Sequence, residues 1–423
     1  MKESFLHYIW HTQYFSKARL HTHDFQGLTI LEPGKYNLNS GPDFHLGRIK
    51  INNEELIGHI EIHVRSNDWY VHHHEKDPAY DQVILHVVWE FNREVLRIDG
   101  SRIPTLELKN LISPYLLDRS SSFFNTLDAI VCRKFLARIR PVFINNMIYS
   151  SLRLRLSNKA SHILQLYQRR NMDWNETFYS LLLKNFGFKV NSYAFERIAQ
   201  KLPFKILRKH SSSLFQIEAL LFGVSGLLTT RVEDEYFMEL RKEFAYLKHK
   251  YKLGESLSIT EWKFSRMRPT NFPTLRLAQI AAILHGRVDF FNDLLDLDFE
   301  RLVDILRVKP SQYWKNHYKF GSPVKNSISG IGMSSVVNLI INSIIPFKYT
   351  FAHHQNDELA MNTVVDLLKT LQAEDNKIVR VWKESGLSPL NAFESQGLYA
   401  LYQNYCRPNR CLQCEIGHSI IAP

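Results

Sequence analysis

The sequence predicts an α/β domain over residues 1–118, built as a mixed sheet with a flanking helix, followed by a larger all-α domain over residues 119–423. Three observations carry this expectation. Short apolar runs, alternating or unbroken, crowd residues 28–108. From about residue 128 onward, apolar residues recur at three- and four-residue intervals. A tight-turn signal such as Asp99-Gly100 falls in the first region, and helix breakers such as Pro203, Pro273 and Pro310 punctuate the second.

The elements follow in order. Residues 3–19 carry Phe5, Tyr8 and Ile9 at helical spacing. Leu28–Leu31 is a short apolar run closed by Pro33-Gly34. Arg48–Ile51 and Glu55–Val64 read as strands around Asn52-Asn53. Val83–Phe91 is almost wholly apolar, as expected of a strand buried on both faces. Val95–Ile98 and Arg102–Leu108 flank Asp99-Gly100 and predict a hairpin. After Ser113-Pro114 the pattern turns helical, over 143–170, 176–186, 193–201, 214–228, 234–251, 273–285, 298–307, 332–345 and 358–372.

A formal net charge of +11 favours a polyanionic partner, nucleic acid foremost. The most apolar late run, Val336–Phe347, is interrupted by Asn338, Asn342 and Ser343, whereas a membrane span needs about 20 apolar residues. The first residues show no signal-peptide pattern. A cytoplasmic protein without a membrane partner is expected. No P-loop, dinucleotide glycine fingerprint, H-E-x-x-H or G-x-S-x-G motif is present, which argues against those enzyme classes.

Acidic residues and histidines crowd residues 39–86. Gly41-Pro42 forms a turn that delivers Asp43 to the start of a strand. In a strand His59, Glu61 and His63 share one face and Ile60, Ile62 and Val64 the other. Such a strand has one packed face and one working or solvated face. Asp43 and Glu61 could together hold a hard divalent cation, Mg²⁺ or Mn²⁺. His63 could act as a base, a water-positioning group or a ligand. The triplet His72-His73-His74 and then Asp77, Asp81 and His86 follow closely, with His73, Asp77, Asp81 and His86 as supporting groups. Asp43 could also simply cap its turn.

Pro42-Asp43, followed by Glu61-Ile62-His63, resembles the PD-(D/E)xK nuclease signature. The resemblance implies a restriction-endonuclease-like core over the first domain. It implies that Asp43 and Glu61 bind a divalent metal, that His63 stands at the position of the usual lysine, and that Glu3 on the preceding helix completes the site. It thus implies a metal-dependent nuclease; the alternatives are a non-catalytic nucleic-acid-binding protein with a degenerate core, or a metalloprotein acting on a small phosphorylated substrate. The longer chain resembles the bacterial DUF2851 family through Gly41-Pro42-Asp43-Phe44, Glu61–Arg65, Asp68-Trp69-Tyr70, Asp77–Tyr80, Leu85–Val88 and the terminal cysteines.

All four cysteines carry information. Cys406, Cys411 and Cys414 form C-x₄-C-x₂-C, with His418 four residues on. Three such cysteines suggest a metal more than a disulfide, either Zn²⁺ or an iron–sulfur cluster. The fourth ligand would be Cys132 or His418. In the helical region Arg266, Arg268 and Arg276 lie around Pro269 and Pro273, a pattern that suits phosphate recognition. Trp262 and Phe264 nearby could stack on bases.

Overall fold

The computed structural model describes residues 1–422 apart from 38, 125, 127, 290, 296, 297, 326 and 329. The chain divides into two compact units. Unit 1 comprises 1–147, 381–387 and 401–423, and unit 2 comprises 148–380 and 388–400. The boundary expected after residue 118 therefore moves, and the terminal cysteines fold into the first unit rather than closing the helical one.

Unit 1 opens with helix α1 (Glu3–Thr12), shorter than the 3–19 expected. Gln13 ends it in the left-handed conformation, and its backbone N–H returns to the carbonyls of Ile9 and Trp10. Phe5, Leu6, Ile9 and Trp10 form its buried face. The sheet follows: β1 (Leu28–Glu32), β2 (Lys35–Tyr36), β3 (Phe44–Ile51), β4 (Glu54–Arg65), β5 (Val83–Glu90) and β6 (Thr105–Glu107). The main path runs β1-β3-β4-β5-β6, with β2 on β3. β1, β3 and β4 pair antiparallel, and β4-β5 and β5-β6 pair parallel. The sheet is thus mixed, as expected. The hairpin predicted at Asp99-Gly100 shrinks to an isolated bridge between Leu96 and Arg102, because β6 pairs with β5 instead. Helices α2 (Asp68–Val71) and α3 (Pro114–Phe124) complete the part of unit 1 that concerns the site.

Two register shifts set up the site. One lies between Phe44 and Gly47 of β3, where Leu46 takes a positive φ, and one between His59 and Ile60 of β4. Bulges of this kind bend a strand and redirect its side chains. Gly58 permits the close approach of β5 there: a Cβ would meet Ile84 Cγ2 at 2.4 Å and the Gln82 carbonyl oxygen at 2.6 Å. Gly58→Ala is expected to destabilise the protein by about 1–3 kcal/mol, the range for overpacking, measurable by urea unfolding.

Unit 2 is mostly helical and matches the periodicity closely. Its helices include Pro141–Arg169, which begins in unit 1, and Trp174–Phe186, Ser192–Lys201, Leu214–Val224, Glu235–Lys250 and Pro273–Leu284. It is not purely α, since His317–Lys319 pairs antiparallel with Ser322–Pro323. Glu218 is fully buried in this core and accepts a hydrogen bond from the Tyr236 hydroxyl. Burial pushes its carboxyl up to about 7. A raised folded-state value means that stability is lost as pH climbs from the unfolded value towards 7. Glu218→Gln is therefore expected to stabilise the protein by up to about 3 kcal/mol at pH 8 and to have little effect near pH 4.5, read by thermal unfolding at both.

No described helix is long and apolar enough to cross a membrane.

Candidate metal centre

The centre is assembled from α1, the start of β3, the polar side of β4, the loop after α2, and β5. The face of β4 read as working or solvated is buried at its two site residues, Glu61 being 5% and His63 1% exposed, while His59 is half-buried. Burying a carboxylate and an imidazole together is costly unless something compensates. Such a site calls for a positive partner.

Asp43 and Glu61 are braced against each other through the backbone. The Asp43 N–H donates to Glu61 Oε2 at 3.0 Å, and the Ile62 N–H donates to Asp43 Oδ2 at 3.0 Å. The β3 bulge makes this reciprocal arrangement possible by turning the strand entry towards β4. Glu61 Oε1 faces two imidazoles, His74 Nε2 at 3.4 Å and His63 Nε2 at 3.6 Å. Burial and then the Asp43 charge push the Glu61 carboxyl up to about 9. The two carboxylates repel, and among the described residues no lysine or arginine is paired with either one.

His63 sits at the middle of a histidine chain. Its Nδ1 lies 2.8 Å from His86 Nε2, and its Nε2 lies 3.1 Å from His72 Nδ1. Parallel pairing of β4 with β5 sets Glu61 opposite His86, which explains the first contact. Burial and the neighbouring imidazoles lower His63, and burial lowers His86 to about 3. Both rings are neutral at pH 7, the form that ligates metals. His63, His72 and His74 each place a ring nitrogen within 4.8 Å of the other two. Glu61 is not part of that group of three, but its Oε1 stands beside it, 3.4 Å from His74 Nε2 and 3.6 Å from His63 Nε2. The residues present therefore fit a divalent transition metal.

The loop that carries His72 and His74 is held by Trp69 and Tyr80. Trp69 is fully buried and its Nε1–H donates to the Leu96 carbonyl at 3.1 Å. Its ring lies 5.3 Å from that of His74 and 5.6 Å from that of His86. Tyr80 stacks on His74 at 3.8 Å. His73 takes the left-handed conformation, which reverses its direction relative to its neighbours. Hence His72 and His74 enter the centre while His73 stands 72% exposed beside Glu75.

α1 supplies the remaining groups. His7 Nε2 lies 3.2 Å from Asp43 Oδ2, at ion-pair distance, and 3.9 Å from Glu3 Oε1 one turn away. Burial alone would lower His7, but the Asp43 and Glu3 carboxylates outweigh it and raise it.

The structure thus brings Asp43, Glu61, His63, His86 and, through His7, Glu3 into one neighbourhood. It does not bring in three of the supporting residues. His73 points outward, Asp77 accepts from the Ala79 N–H to cap a turn, and Asp81 is exposed. His7, His72 and His74 were not singled out as site residues. The helical spacing of Glu3 and His7 was a readable signal for the first. Nothing in the triplet distinguishes His72 and His74 from His73 without the backbone turn.

In unit 2 the arginine group divides. Arg276 is 4% exposed and donates to Gln279 Oε1 at 3.0 Å and Asn271 Oδ1 at 2.7 Å, so it serves the fold. Arg266 and Arg268 are exposed and line a cleft of about 430 Å³. Trp262 is buried, donating to the Ser225 carbonyl at 2.8 Å, and offers no stacking face.

A family model described as Protein of unknown function (DUF2851) matches residues 3–377. The chain belongs to the DUF2851 family. No curated protein and no solved structure matches it. Every residue of the candidate metal centre lies within the stretch shared with DUF2851, and the three terminal cysteines lie beyond it.

Proposed function

We propose that this DUF2851 protein is a metal-dependent phosphodiesterase acting on nucleic acid, with its centre at Glu61, His63, His72 and His74 beside Asp43. The observation that carries this reading is a buried Glu61 facing His63 and His74, with His72 completing a three-imidazole group. This donor set favours Mn²⁺, Zn²⁺ or Fe²⁺ over Mg²⁺, since imidazole suits transition metals and Mg²⁺ prefers oxygen alone. A divalent ion at this place supplies Lewis-acid polarisation of a phosphoryl oxygen and lowers the pKa of a water.

The chain's own groups would divide the remaining work. With its Nδ1–H donated to His86 Nε2, 2.8 Å away, His63 would keep Nε2 for ligation, the usual arrangement with an outer partner. Asp43, pinned by the Ile62 N–H, orients the attacking water or the phosphate. His7, whose protonated form the Asp43 and Glu3 carboxylates favour, is placed to give a proton to the leaving oxygen. The order of α1, an antiparallel β1-β3-β4 set and a parallel β5 agrees with a PD-(D/E)xK-type core. In this reading His63 is a metal ligand rather than a stand-in for the absent lysine.

Nucleic acid is the preferred substrate because of the +11 charge and the basic cavities of unit 2. The larger one, about 710 Å³, is lined by Lys159, Arg169, Arg170 and Lys184 among others. The test is cleavage of single- and double-stranded DNA and RNA with each of Mn²⁺, Zn²⁺, Fe²⁺ and Mg²⁺. The wild type is expected to cleave with a transition metal. The double variant His72→Ala/His74→Ala is expected to lose more than the roughly 10–100-fold that loss of an outer partner costs, while still binding nucleic acid at low salt. Salt-dependent binding without cleavage under every metal would replace this reading with a non-catalytic one.

A further inference from the structure

We infer that unit 2 carries a binding site for a terminal phosphate group, that of a phosphate monoester, between Arg268 and the buried Arg276. The site lies wholly within unit 2 and does not rest on the reading of the metal centre. The sequence puts Arg276 in the first turn of helix Pro273–Leu284, whose first position is a proline. That is the end of a helix where a cation is least favoured. The residue is also buried, at 4% exposure. Its two Nη groups serve the fold, donating to Gln279 Oε1, Asn271 Oδ1 and, at 3.3 Å, Ser335 Oγ. The Phe188 ring lies 4.7 Å from the guanidinium carbon. All of these partners are neutral. What the fold leaves over is the charge itself and the Nε–H, which is buried with no acceptor among the described residues. Burial pushes the guanidinium down to about 10, and no carboxylate counters it. A buried charge without a counter-ion is strongly unfavourable. The missing partner is an anion.

Arg276 also fixes what its neighbours have to offer. A guanidinium only donates, so Asn271, Gln279 and Ser335 must turn oxygens towards it. The amide N–H groups of Asn271 and Gln279 and the Ser335 O–H are left to donate elsewhere. All three residues line a cavity of about 340 Å³, together with Arg268, Thr270 and Ser334, which are exposed. Among the described residues no aspartate or glutamate lines it. Its wall is therefore rich in donors and holds two positive charges with no negative one.

A terminal phosphate is the complementary group, because it is anionic and its three free oxygens accept strongly. A carboxylate, with two oxygens, answers fewer of these donors. The floor of the cavity, at Leu275, Arg276 and Gln279, is buried, which suits the end of a molecule rather than the middle of a strand. The cleft of about 430 Å³ described above shares Arg268, Asn271, Arg276 and Ser335 with this cavity. It runs past Phe188, Val190 and Met267 and is also free of aspartate and glutamate among the described residues. It gives room for the organic part of the ester.

The experiment is calorimetric titration of the full chain with inorganic phosphate, adenosine 5′-monophosphate and adenosine, in chelator so that no metal ion recruits the phosphate. Phosphate and the monophosphate are expected to bind, and adenosine is not. Arg268→Ala is expected to weaken both by about 10-fold or more, the effect of losing a hydrogen bond to a charged group. Arg241→Ala, at an exposed arginine of helix Glu235–Lys250, is expected to change neither. Arg276→Gln is expected to abolish binding. Should that variant not fold, Ser335→Ala tests the same wall and is expected to weaken binding by about 10-fold. Oligonucleotides with a 5′-phosphate and with a 5′-hydroxyl distinguish the sources of the group. Preference for the phosphorylated one assigns the site to the end of a strand, and binding of the monophosphate without that preference assigns it to a free nucleotide. No binding of phosphate or monophosphate at millimolar concentration, or equal binding of adenosine, would overturn the proposal. So would wild-type affinity in Arg268→Ala or Ser335→Ala, or an equal loss in Arg241→Ala.

Discussion

Glu61→Gln is expected to make the metal-free protein more stable and the metal-loaded protein inactive. Glu61 is buried and repelled by Asp43, which holds its carboxyl up to about 9. The unfolded chain releases that proton near pH 4.5 and the native chain does not. Stability of the metal-free protein therefore falls as pH rises between those two values. At pH 7.5 the loss is up to about 4 kcal/mol. Glutamine keeps the shape and the acceptor for the Asp43 N–H but has no proton to lose. Urea unfolding in chelator should show the variant gaining stability at pH 7.5 and little at pH 5. Adding Mn²⁺ or Zn²⁺ should narrow the gap and, at about 1,000 times the wild type's Kd, where its gain reaches about 4.1 kcal/mol, close it. The wild type gains about 2.7 kcal/mol at a metal concentration 100 times its Kd, and the variant gains little. A variant that is less stable than wild type in chelator would show that Glu61 serves the fold and not a cation.

Trp69→Ala is expected to have the second largest effect, through both stability and the centre. Trp69 fills the space between the His72–His74 loop and β5, and it is fully buried. Truncating a buried tryptophan costs about 3–5 kcal/mol. The same truncation removes the wall that holds His74 and His86, so metal affinity should fall with it. Trp69→Phe separates the two effects. It keeps most of the packing and loses the bond to the Leu96 carbonyl, a cost of about 1–3 kcal/mol for the unpaired carbonyl. Metal titration of the phenylalanine variant should show a weaker site in a folded protein. An unchanged metal affinity in both variants would mean that the loop is held by other contacts.

Much of this architecture was readable because burial imposes periodicity. The unit 2 helices follow their three- and four-residue spacing almost residue for residue, and β5 follows its apolar run. The alternation in β4 correctly set Glu61 and His63 on one side. It could not say that this side is buried, since alternation reports which faces differ and not which of them meets water. The role of His7 was half-legible in its position one turn after Glu3. The roles of His72 and His74 depend on a left-handed residue between them, a backbone choice that histidine side chains do not announce. Arg276 looked like a phosphate ligand because its partners Gln279 and Asn271 become visible only in the folded helix. The cysteines were legible as a motif. Their place in the first unit was not, because long-range docking of a late segment leaves no local pattern.

The most direct test of the metal centre is an anomalous difference map from crystals of the full chain soaked in Mn²⁺ or Zn²⁺. The account predicts a single strong peak bonded to Glu61 Oε1 and to ring nitrogens of His63, His72 and His74, absent in Glu61→Gln crystals. A fully soaked crystal with no peak among these four residues, or with metal bound only at exposed side chains, would contradict it.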